Sequence, residues 1–339
     1  MKAIVIENGF GLEHLKVKEK EMPLPGPSEV LVKLRAVSLN SRDLGVINGF
    51  YFPDLSEPLI PVSDGVGEVV AVGDQVTRFQ LGDRVNGIFT QKWISGEATK
   101  QTAESTLGGP LPGLLAEYAV LPETGLVGVP DYLTDEEAAT LPCAGVTAWH
   151  AIVEQGKVKA GDTVVVQGTG GVSLFALQFA KLHGAKVIIT SSSNDKLVRA
   201  KSLGADHGIN YKENPNWEKE VLKLTGERGA DHIVELGGAA TLNQSVECLR
   251  VGGKISLIGG LSGFEVGGFQ IVPAIVRRAA LQAINVGSRD MFEAMNRALE
   301  AGQLHPVVDR VFSFHEALDA FHSFAAGSYF GKIVISFQK

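Results

Sequence analysis

A glycine-rich turn between a valine-rich run and an apolar helical stretch constrains this chain more than any other feature. Residues 163–167 read Thr-Val-Val-Val-Gln, the turn follows as Gly168-Thr169-Gly170-Gly171, and the apolar stretch begins at Val172. A continuous β-branched run of this length is typical of a strand that is buried on both faces. A strand, a glycine turn and a helix in this order favour the first unit of a doubly wound parallel sheet.

The chain downstream repeats this alternation. Extended runs are predicted at 187–190, 207–210, 232–236, 254–258 and 281–286, with helices at 172–183, 195–203, 215–225 and 241–249. The first third instead predicts β structure, with short runs at 3–6, 30–34, 68–72, 84–88 and 117–121 that are separated by Gly, Pro and Asp turn signals. A helical stretch at 146–155, two helices at 290–301 and 315–326 and a final strand at 331–337 complete the pattern. Two architectures in 339 residues predict two domains.

Composition excludes several classes of protein. The net charge of -7 is spread along the chain without a basic run, so nucleic acid is not an expected partner. Two cysteines, Cys143 and Cys248, make no disulfide framework. The longest apolar stretch, 172–180, is too short to span a membrane, and no signal peptide is recognisable. We therefore expect a cytoplasmic protein with no membrane partner.

The glycine turn predicts a dinucleotide cofactor. Such a turn presents backbone N–H groups and a helix N-terminus to a pyrophosphate. Gly168 permits the tight turn and Gly170 lets the phosphates approach the backbone, while Thr169, Gly171 and Val172 complete the segment.

The end of the second strand favours NADP(H) over NAD(H). An NAD site carries a carboxylate about 20 residues beyond the glycines, where it holds the ribose 2′-hydroxyl. Here the strand ends in Ser191 and Ser192, which leave room for a 2′-phosphate, and Lys196 with Arg199 supplies positive charge. Asp195 is interpreted as a residue of the next helix's first turn, where acids ordinarily stabilise the helix N-terminus.

Six segments carry a resemblance to a known family along nearly the whole chain: AVSLNSRD at 36–43, GDRV at 82–85, LPCAGVTAW at 141–149, GTGGV at 168–172, AKSLGAD at 200–206 and GKIVI at 331–335. The sequence resembles the medium-chain dehydrogenase/reductase superfamily, and within it the zinc-free quinone-oxidoreductase-like and alcohol-dehydrogenase-like branch. The resemblance implies an α/β fold with a GroES-like β-rich catalytic domain (1–125 and 290–339) around a Rossmann NADP-binding domain (126–289). It also implies a homodimer that joins two Rossmann sheets edge to edge.

The same resemblance predicts that no metal is bound. Zinc-dependent relatives hold their catalytic zinc with a Cys, a His before a Glu, and a second Cys. The matching positions here are Asn40, the pair Ser63-Asp64, and Cys143. Amide and hydroxyl oxygens are poor substitutes for thiolate and imidazole. The segment 89–114, which matches the structural-zinc lobe, contains no Cys at all. Cys143 is interpreted chiefly as a small packed residue, with a catalytic or redox role as the alternative.

Three residues are candidates for catalysis. The resemblance places Asn40, Asp43 and Tyr51 in the active-site segment, where Tyr51 and Asn40 would donate to a developing oxyanion. The alternatives are that Asp43 organises the loop through a salt bridge, with Arg42 as a partner, and that Tyr51 only packs. Trp93 lines the substrate wall or anchors its own loop. Lys332 reaches a phosphate or, as the simpler expectation, is a solvated terminal lysine.

Further cofactor contacts follow from the resemblance alone. It places Tyr211 beside the adenosine phosphate, and Gly259, Val286 and Ser288 along the nicotinamide. The leading hypothesis is therefore an NADPH-dependent reductase of quinones or α,β-unsaturated carbonyls, because such acceptors need less polarisation than a ketone. A zinc-independent alcohol or aldehyde oxidoreductase is the alternative enzyme. An NADPH-binding sensor or scaffold with weak turnover is the alternative of another class.

Overall fold

A computed structural model of the chain describes residues 1–53 and 58–338. These residues form two units, one made of Met1–Val146 with Val286–Lys339 and the other of Thr147–Asn285. The sequence predicts the first domain junction at residue 126. The segment after it packs with the first unit instead, because residues 126–128 form a strand whose partner is the strand Arg84–Gly87.

The strands and helices follow one another in the order that the sequence pattern predicts, with a few additions. The first part of the chain contains β1 (Lys2–Ile6), β2 (Leu15–Glu19), β3 (Glu29–Ser38), α1 (Ser41–Ile47), β4 (Asp64–Val72), β5 (Arg84–Gly87), α2 (Lys100–Ala103), β6 (Tyr118–Pro122), β7 (Leu126–Gly128), α3 (Asp135–Ala138) and α4 (Val146–Trp149). The middle contains β8 (Thr163–Gln167), α5 (Gly171–Leu182), β9 (Lys186–Ser191), α6 (Asn194–Ser202), β10 (His207–Asn210), α7 (Trp217–Leu224), β11 (Ala230–Glu235), α8 (Leu242–Glu247), β12 (Leu249–Leu257), α9 (Ile271–Val276) and β13 (Ala280–Ala283). The last part contains α10 (Arg289–Gly302), β14 (Val308–Ser313), α11 (Ala317–Ala325) and β15 (Lys332–Ser336).

The second unit is built on a six-stranded sheet in the order β10-β9-β8-β11-β12-β13, and every pairing in it is parallel. The three consecutive valines of β8 are fully buried, as a central parallel strand requires. Strand order reverses between β8 and β11. In open parallel sheets, ligands bind at the carboxyl ends of the strands at such a reversal. The predicted Rossmann-type sheet is confirmed, and the glycine turn lies at this point.

The first unit is built on a mainly antiparallel sheet in the order β14-β15-β3-β4-β5-β7, with β6 also paired to β3. The last strand, β15, runs antiparallel to β3, with Val334 opposite Ser38 and Ile335 opposite Val37. The two chain ends therefore share one sheet and one hydrophobic core, which confirms the predicted GroES-like domain. This pairing also brings the start of β15 beside residues 40–43, which follow β3.

Some elements differ from the sequence prediction. The extended run predicted at 281–286 ends at Ala283, because the backbone leaves the sheet there and Val286 adopts a φ of 53°. The helix predicted at 146–155 is α-helical only in α4, since π-helical turns flank it at Leu141–Gly145 and His150–Gln155. Strand β14 was not predicted because Asp309 and Arg310 interrupt its alternation. In the described part of the chain, no helix is long and apolar enough to cross a bilayer.

Candidate functional site

The glycine turn connects β8 to α5 in the geometry that an anion site needs. Gly168 has a φ of 73°, a left-handed conformation that favours glycine, and its N–H donates to Thr190 Oγ1 at 3.4 Å. Gly170 is the N-cap of the twelve-residue helix α5. A Cβ built on Gly170 would meet nothing within 4 Å, so the space over this backbone is open to a ligand. The candidate residues Gly168 to Val172 thus present backbone N–H groups and a helix N-terminus together.

A buried carboxylate beside this turn was not found by the sequence analysis. Glu235, the last residue of β11, is fully buried. Its carboxylate accepts from Gln167 Nε2 at 2.7 Å, Thr241 Oγ1 at 2.5 Å, the Gly238 N–H at 2.9 Å and Ser245 Oγ. Gln167 Oε1 in turn accepts from the N–H groups of Leu236 at 3.0 Å and Gly237 at 2.9 Å. Because Gln167 directly precedes Gly168, this network ties the loop after β11 to the base of the phosphate turn.

The tip of β9 carries hydroxyl groups and no acid. Ser191 is buried, Ser192 is half-buried, and Ser193 caps α6 by accepting from the Lys196 N–H at 3.4 Å. Lys196 is half-buried in the first turn of α6, whereas Asp195 points into solvent. The Tyr211 N–H donates to the Ser191 carbonyl at 3.1 Å, so the predicted adenosine-side residues lie on neighbouring strand ends.

The remaining cofactor candidates are divided between the two units. Gly259 follows β12, and a Cβ there would lie 2.6 Å from the Leu236 carbonyl oxygen, so the position requires glycine. Val286 and Ser288 belong to the first unit, where Ser288 Oγ caps α10 by accepting from the Met291 N–H at 3.3 Å. Val286 has a φ of 53°. A β-branched residue at positive φ is rare and costs conformational energy, and such strain concentrates at functional positions.

The first unit contains a group of polar side chains, which we call the polar cluster, and its members are all buried except the half-buried Cys143: Asn40, Asp43, Ser63, Asp64, Cys143 and Lys332. Asn40 is the N-cap of α1, and its backbone N–H donates to Asp43 Oδ2 at 2.8 Å. Asp43 Oδ1 is buried and has no hydrogen-bond partner among the described residues. Burial raises the pKa of Asp43 to about 6, although the nearby Arg42 opposes this shift.

Asp64 is fully buried in the polar cluster. Ser63 Oγ donates to its Oδ1 at 2.8 Å, and the Cys143 backbone N–H donates to its Oδ2 at 3.1 Å. Burial raises the pKa of Asp64, and the attraction of Lys332 is the largest of the opposing influences. Burial, followed by the repulsion of Asp64, raises the pKa of the Cys143 thiol above its ordinary value. The thiol is therefore protonated at neutral pH.

Lys332 is buried, whereas the sequence predicts a solvated lysine or one near a phosphate. Its side chain is only 3% exposed. The ammonium donates to the Leu39 carbonyl at 2.6 Å and to Asn40 Oδ1 at 2.6 Å. The prediction was wrong because β15 is an interior strand of the sheet, and the pairing with β3 turns its first residue inwards.

The other candidates have simpler surroundings. Arg42 donates to the Leu107 carbonyl at 2.7 Å, to Thr106 Oγ1 at 3.2 Å and to the Gly109 carbonyl, and stacks over Phe89. Tyr51 packs its ring over Gly45 and edge-on to Phe50, and remains 47% exposed. Trp93 is buried and donates through Nε1 to the Gly96 carbonyl at 2.9 Å, which anchors its own loop. The structure therefore joins Asn40 to Asp43, while Tyr51 lies at an exposed position.

The polar cluster does not fit a catalytic zinc. Catalytic zinc needs three protein ligands with nitrogen, sulfur or carboxylate donors. Here Asn40 Oδ1 accepts from an ammonium and Ser63 Oγ donates to Asp64, which leaves Cys143 as the one thiol or imidazole ligand at the matching positions. Within residues 1–53 and 58–338, no three His, Cys, Asp or Glu side chains form a group that could hold a metal ion.

Comparison with known proteins gives matches over the whole chain. Residues 26–131 match the alcohol dehydrogenase GroES-like domain, and residues 171–301 match the zinc-binding dehydrogenase family. A zinc-type alcohol dehydrogenase-like protein of Schizosaccharomyces pombe is 44% identical, with 99% of each chain covered. A Sinorhizobium meliloti protein described as an alcohol dehydrogenase has a crystal structure with 47% identity and a TM-score of 0.93, covering 99% of this chain and 98% of that one.

More distant matches broaden the range of activities and cofactors. The human quinone oxidoreductase is 27% identical, with 97% of this chain and 95% of that protein covered. The structure of an NAD-dependent alcohol dehydrogenase is 36% identical with a TM-score of 0.91, and a mycobacterial protein complexed with NADPH is 27% identical with a TM-score of 0.82. Both comparisons cover 99% of each chain. The chain therefore belongs to the medium-chain dehydrogenase/reductase superfamily and is a nicotinamide-dinucleotide-dependent oxidoreductase.

Proposed function

We propose that this protein is a zinc-independent, NADPH-dependent reductase that transfers hydride to a quinone or an α,β-unsaturated carbonyl compound. The proposal rests on the hydrogen bonds of two side-chain oxygens in the polar cluster, those of Asn40 and Ser63, which match positions of zinc ligands in the zinc-dependent relatives. The Asn40 oxygen is bound to Lys332, and the Ser63 hydroxyl is bound to Asp64. Neither is available to a metal, so the acceptor has to react without a Lewis acid.

The second unit suits NADPH as the hydride donor. The turn from Gly168 to Val172 would hold the pyrophosphate, and Ser191, Ser192 and Lys196 would hold the 2′-phosphate. Tyr211 would lie along the adenosine side, and Gly259, Val286 and Ser288 would contact the carboxamide. The absence of a carboxylate at the tip of β9 supports NADPH, although one close structural match is an NAD-dependent enzyme.

The acceptor class follows from the available hydrogen-bond donors. Without a metal, a simple ketone lacks strong polarisation, whereas a quinone or enone spreads the developing charge onto a remote oxygen. The amide oxygen of Asn40 accepts from Lys332, which leaves Nδ2 as its donor, so we assign the donor role to Asn40 Nδ2 together with the hydroxyl of the exposed Tyr51. In this proposal, Tyr51 donates to the acceptor oxygen and passes the proton, while Asp43 shapes the start of α1 through the Asn40 N–H.

A zinc-independent alcohol or aldehyde oxidoreductase is the second candidate. The observation that favours it is that the matches of higher identity, at 44% and 47%, carry alcohol dehydrogenase names. It differs from the first candidate in the carbon that receives the hydride, which an isotope experiment can locate.

Metal content provides the first test. Elemental analysis of the purified, tag-free protein should find well below one zinc per chain, and chelators should leave its activity unchanged. Asn40→Cys combined with Ser63→His serves as a positive control, because it restores the ligand types that zinc prefers. Stoichiometric zinc in the wild-type protein, with loss of activity on its removal, would contradict the proposal.

Cofactor preference provides the second test. NADPH should bind more tightly than NADH by about 1.5–3 kcal/mol, the contribution of one or two charge-assisted hydrogen bonds to the 2′-phosphate. Lys196→Ala should narrow this difference and leave NADH binding nearly unchanged, as measured by fluorescence titration. Lys201→Ala, at an exposed position of the same helix, is the matched control. Equal affinities of the wild-type protein for both cofactors would refute the assignment.

The position of hydride transfer provides the third test. With deuterated NADPH and an enone, deuterium should appear at the carbon β to the carbonyl, which stays intact. Tyr51→Phe should lower kcat/KM by roughly 10- to 100-fold without weakening NADPH binding. Tyr118→Phe, which removes a phenol hydroxyl from β6, should have little effect. Deuterium on a carbinol carbon would instead support the alcohol oxidoreductase.

We further propose that two copies of the chain form a homodimer through β13. This strand ends the six-stranded sheet, and three of its four residues are exposed. Beside it, one face of α9 exposes Ile271, Val272, Ile275 and Val276 by 62–70%. An open strand edge next to an apolar patch favours pairing with another strand, and two-fold symmetry allows β13 to pair with its own copy.

The dimer is tested by light scattering after size exclusion. The wild-type protein should have twice the chain mass at micromolar concentration, and Val272→Glu with Ile275→Glu should shift it to the monomer. Val198→Glu, at an exposed apolar position of α6, should leave the dimer intact. A wild-type monomer would overturn the proposal.

A further inference from the structure

The buried ammonium of Lys332 has surroundings that point to a role in the site. The antiparallel pairing of β15 with β3 brings Lys332 next to the segment 38–40. Its Nζ donates at 2.6 Å both to the Leu39 carbonyl and to Asn40 Oδ1. Burying an ammonium costs several kcal/mol unless nearby groups compensate. The two hydrogen bonds therefore compensate part of the cost of burying the Lys332 ammonium.

The two carboxylates of the polar cluster are balanced only when both Lys332 and the neighbouring Arg42 are counted. Asp43 and Asp64 are both at most 1% exposed. Arg42 directs hydrogen bonds to the carbonyls of Leu107 and Gly109 and is the main opposing charge for Asp43. Lys332 is the main opposing charge for Asp64. Each buried carboxylate is thus opposed mainly by one cation, Asp43 by Arg42 and Asp64 by Lys332.

Lys332 also fixes the orientation of the Asn40 amide. Because Oδ1 accepts from the ammonium, Nδ2 faces the other way, where it is 3.5 Å from the Ser38 carbonyl. The ammonium polarises the amide from Oδ1 towards Nδ2, which makes the Nδ2 group a stronger hydrogen-bond donor. Removing the ammonium would leave this amide free to flip.

We propose that Lys332 is a positioning residue that takes over the electrostatic part of the zinc ion in the zinc-dependent relatives. Its ammonium orients Asn40, which occupies the position of a zinc-ligating cysteine, and provides a fixed positive charge beside Asp64. This inference rests on the proposed zinc-independent function. It goes beyond that function because it assigns the compensating charge to a particular side chain.

Lys332→Met tests the inference, because methionine has a similar length and no charge. This variant should be less stable to urea than the wild-type protein, since the buried Asp64 carboxylate loses the largest charge that offsets its burial. Adding Asp64→Asn should recover most of that stability. The kcat should fall at least 10-fold in Lys332→Met and remain low in the double variant, because neither variant has the charge that orients Asn40. The Kd for NADPH should stay within twofold in both.

Two further variants complete the experiment. Lys332→Arg keeps the charge and should retain a higher kcat than Lys332→Met, and Lys186→Met, at an exposed strand position, is the control. Recovery of kcat together with stability in the double variant would overturn the inference, since Lys332 would then only compensate Asp64. Equal kcat values for the folded Arg and Met variants would also overturn it.

The experiment separates this inference from the proposed function. The kcat values are compared on whichever acceptor the wild-type protein reduces, among quinones, enones and aldehydes, so they do not depend on the acceptor class. Zinc required by the wild-type protein would refute the proposed function directly, whatever the coupling between Lys332 and Asp64.

Discussion

The antiparallel pairing of β15 with β3 is the interaction on which the first unit depends. The Leu39 N–H donates to the Ile333 carbonyl at 3.0 Å and Ser38 Oγ to the same oxygen at 3.2 Å, which holds the last strand against the segment 38–40. The pairing joins residues almost 300 positions apart and closes the core that both chain ends share. The polar cluster cannot form without it, because Lys332 enters from β15 and Asn40 from the end of β3. Contacts of such sequence separation form late and slowly in folding.

The second unit depends on a different kind of interaction. Its strands end at one edge, and the loops that follow them have to hold a fixed shape without much apolar packing. The carboxylate of Glu235 provides that shape by accepting four hydrogen bonds, and Gln167 links it to the phosphate turn. Fully satisfied buried networks make a structure rigid, whereas partly satisfied ones are costly. Glycine at positions 238 and 259 complements the network, because a Cβ at either would lie within 2.7 Å of neighbouring backbone.

The sequence predicted those features that depend on local chemistry. The strand, turn and helix at 163–182 follow from a β-branched run and a glycine cluster, and the hydroxyl groups at the tip of β9 follow from the sequence directly. The burial of Lys332 could not be predicted, because it depends on which strand neighbours β15. The network of Glu235 was likewise hidden, since its members lie at positions 167, 235, 241 and 245. The left-handed backbone of Val286 contradicts local preference altogether, and only the surrounding fold can impose it.

Cys143 shows how a residue at a ligand position can serve a site through its backbone. It lies in the first turn of the π-helical segment Leu141–Gly145, where N–H groups lack partners within the helix. Its N–H donates to Asp64 Oδ2 at 3.1 Å, so the carboxylate caps this segment from outside. The same carboxylate helps to keep the thiol protonated, because its repulsion adds to burial in raising the pKa of Cys143. A protonated thiol is a poor nucleophile. Asp64 therefore connects Cys143 with Lys332. Its carboxylate accepts from the Cys143 backbone N–H, and the Lys332 ammonium is the main positive charge that opposes its burial.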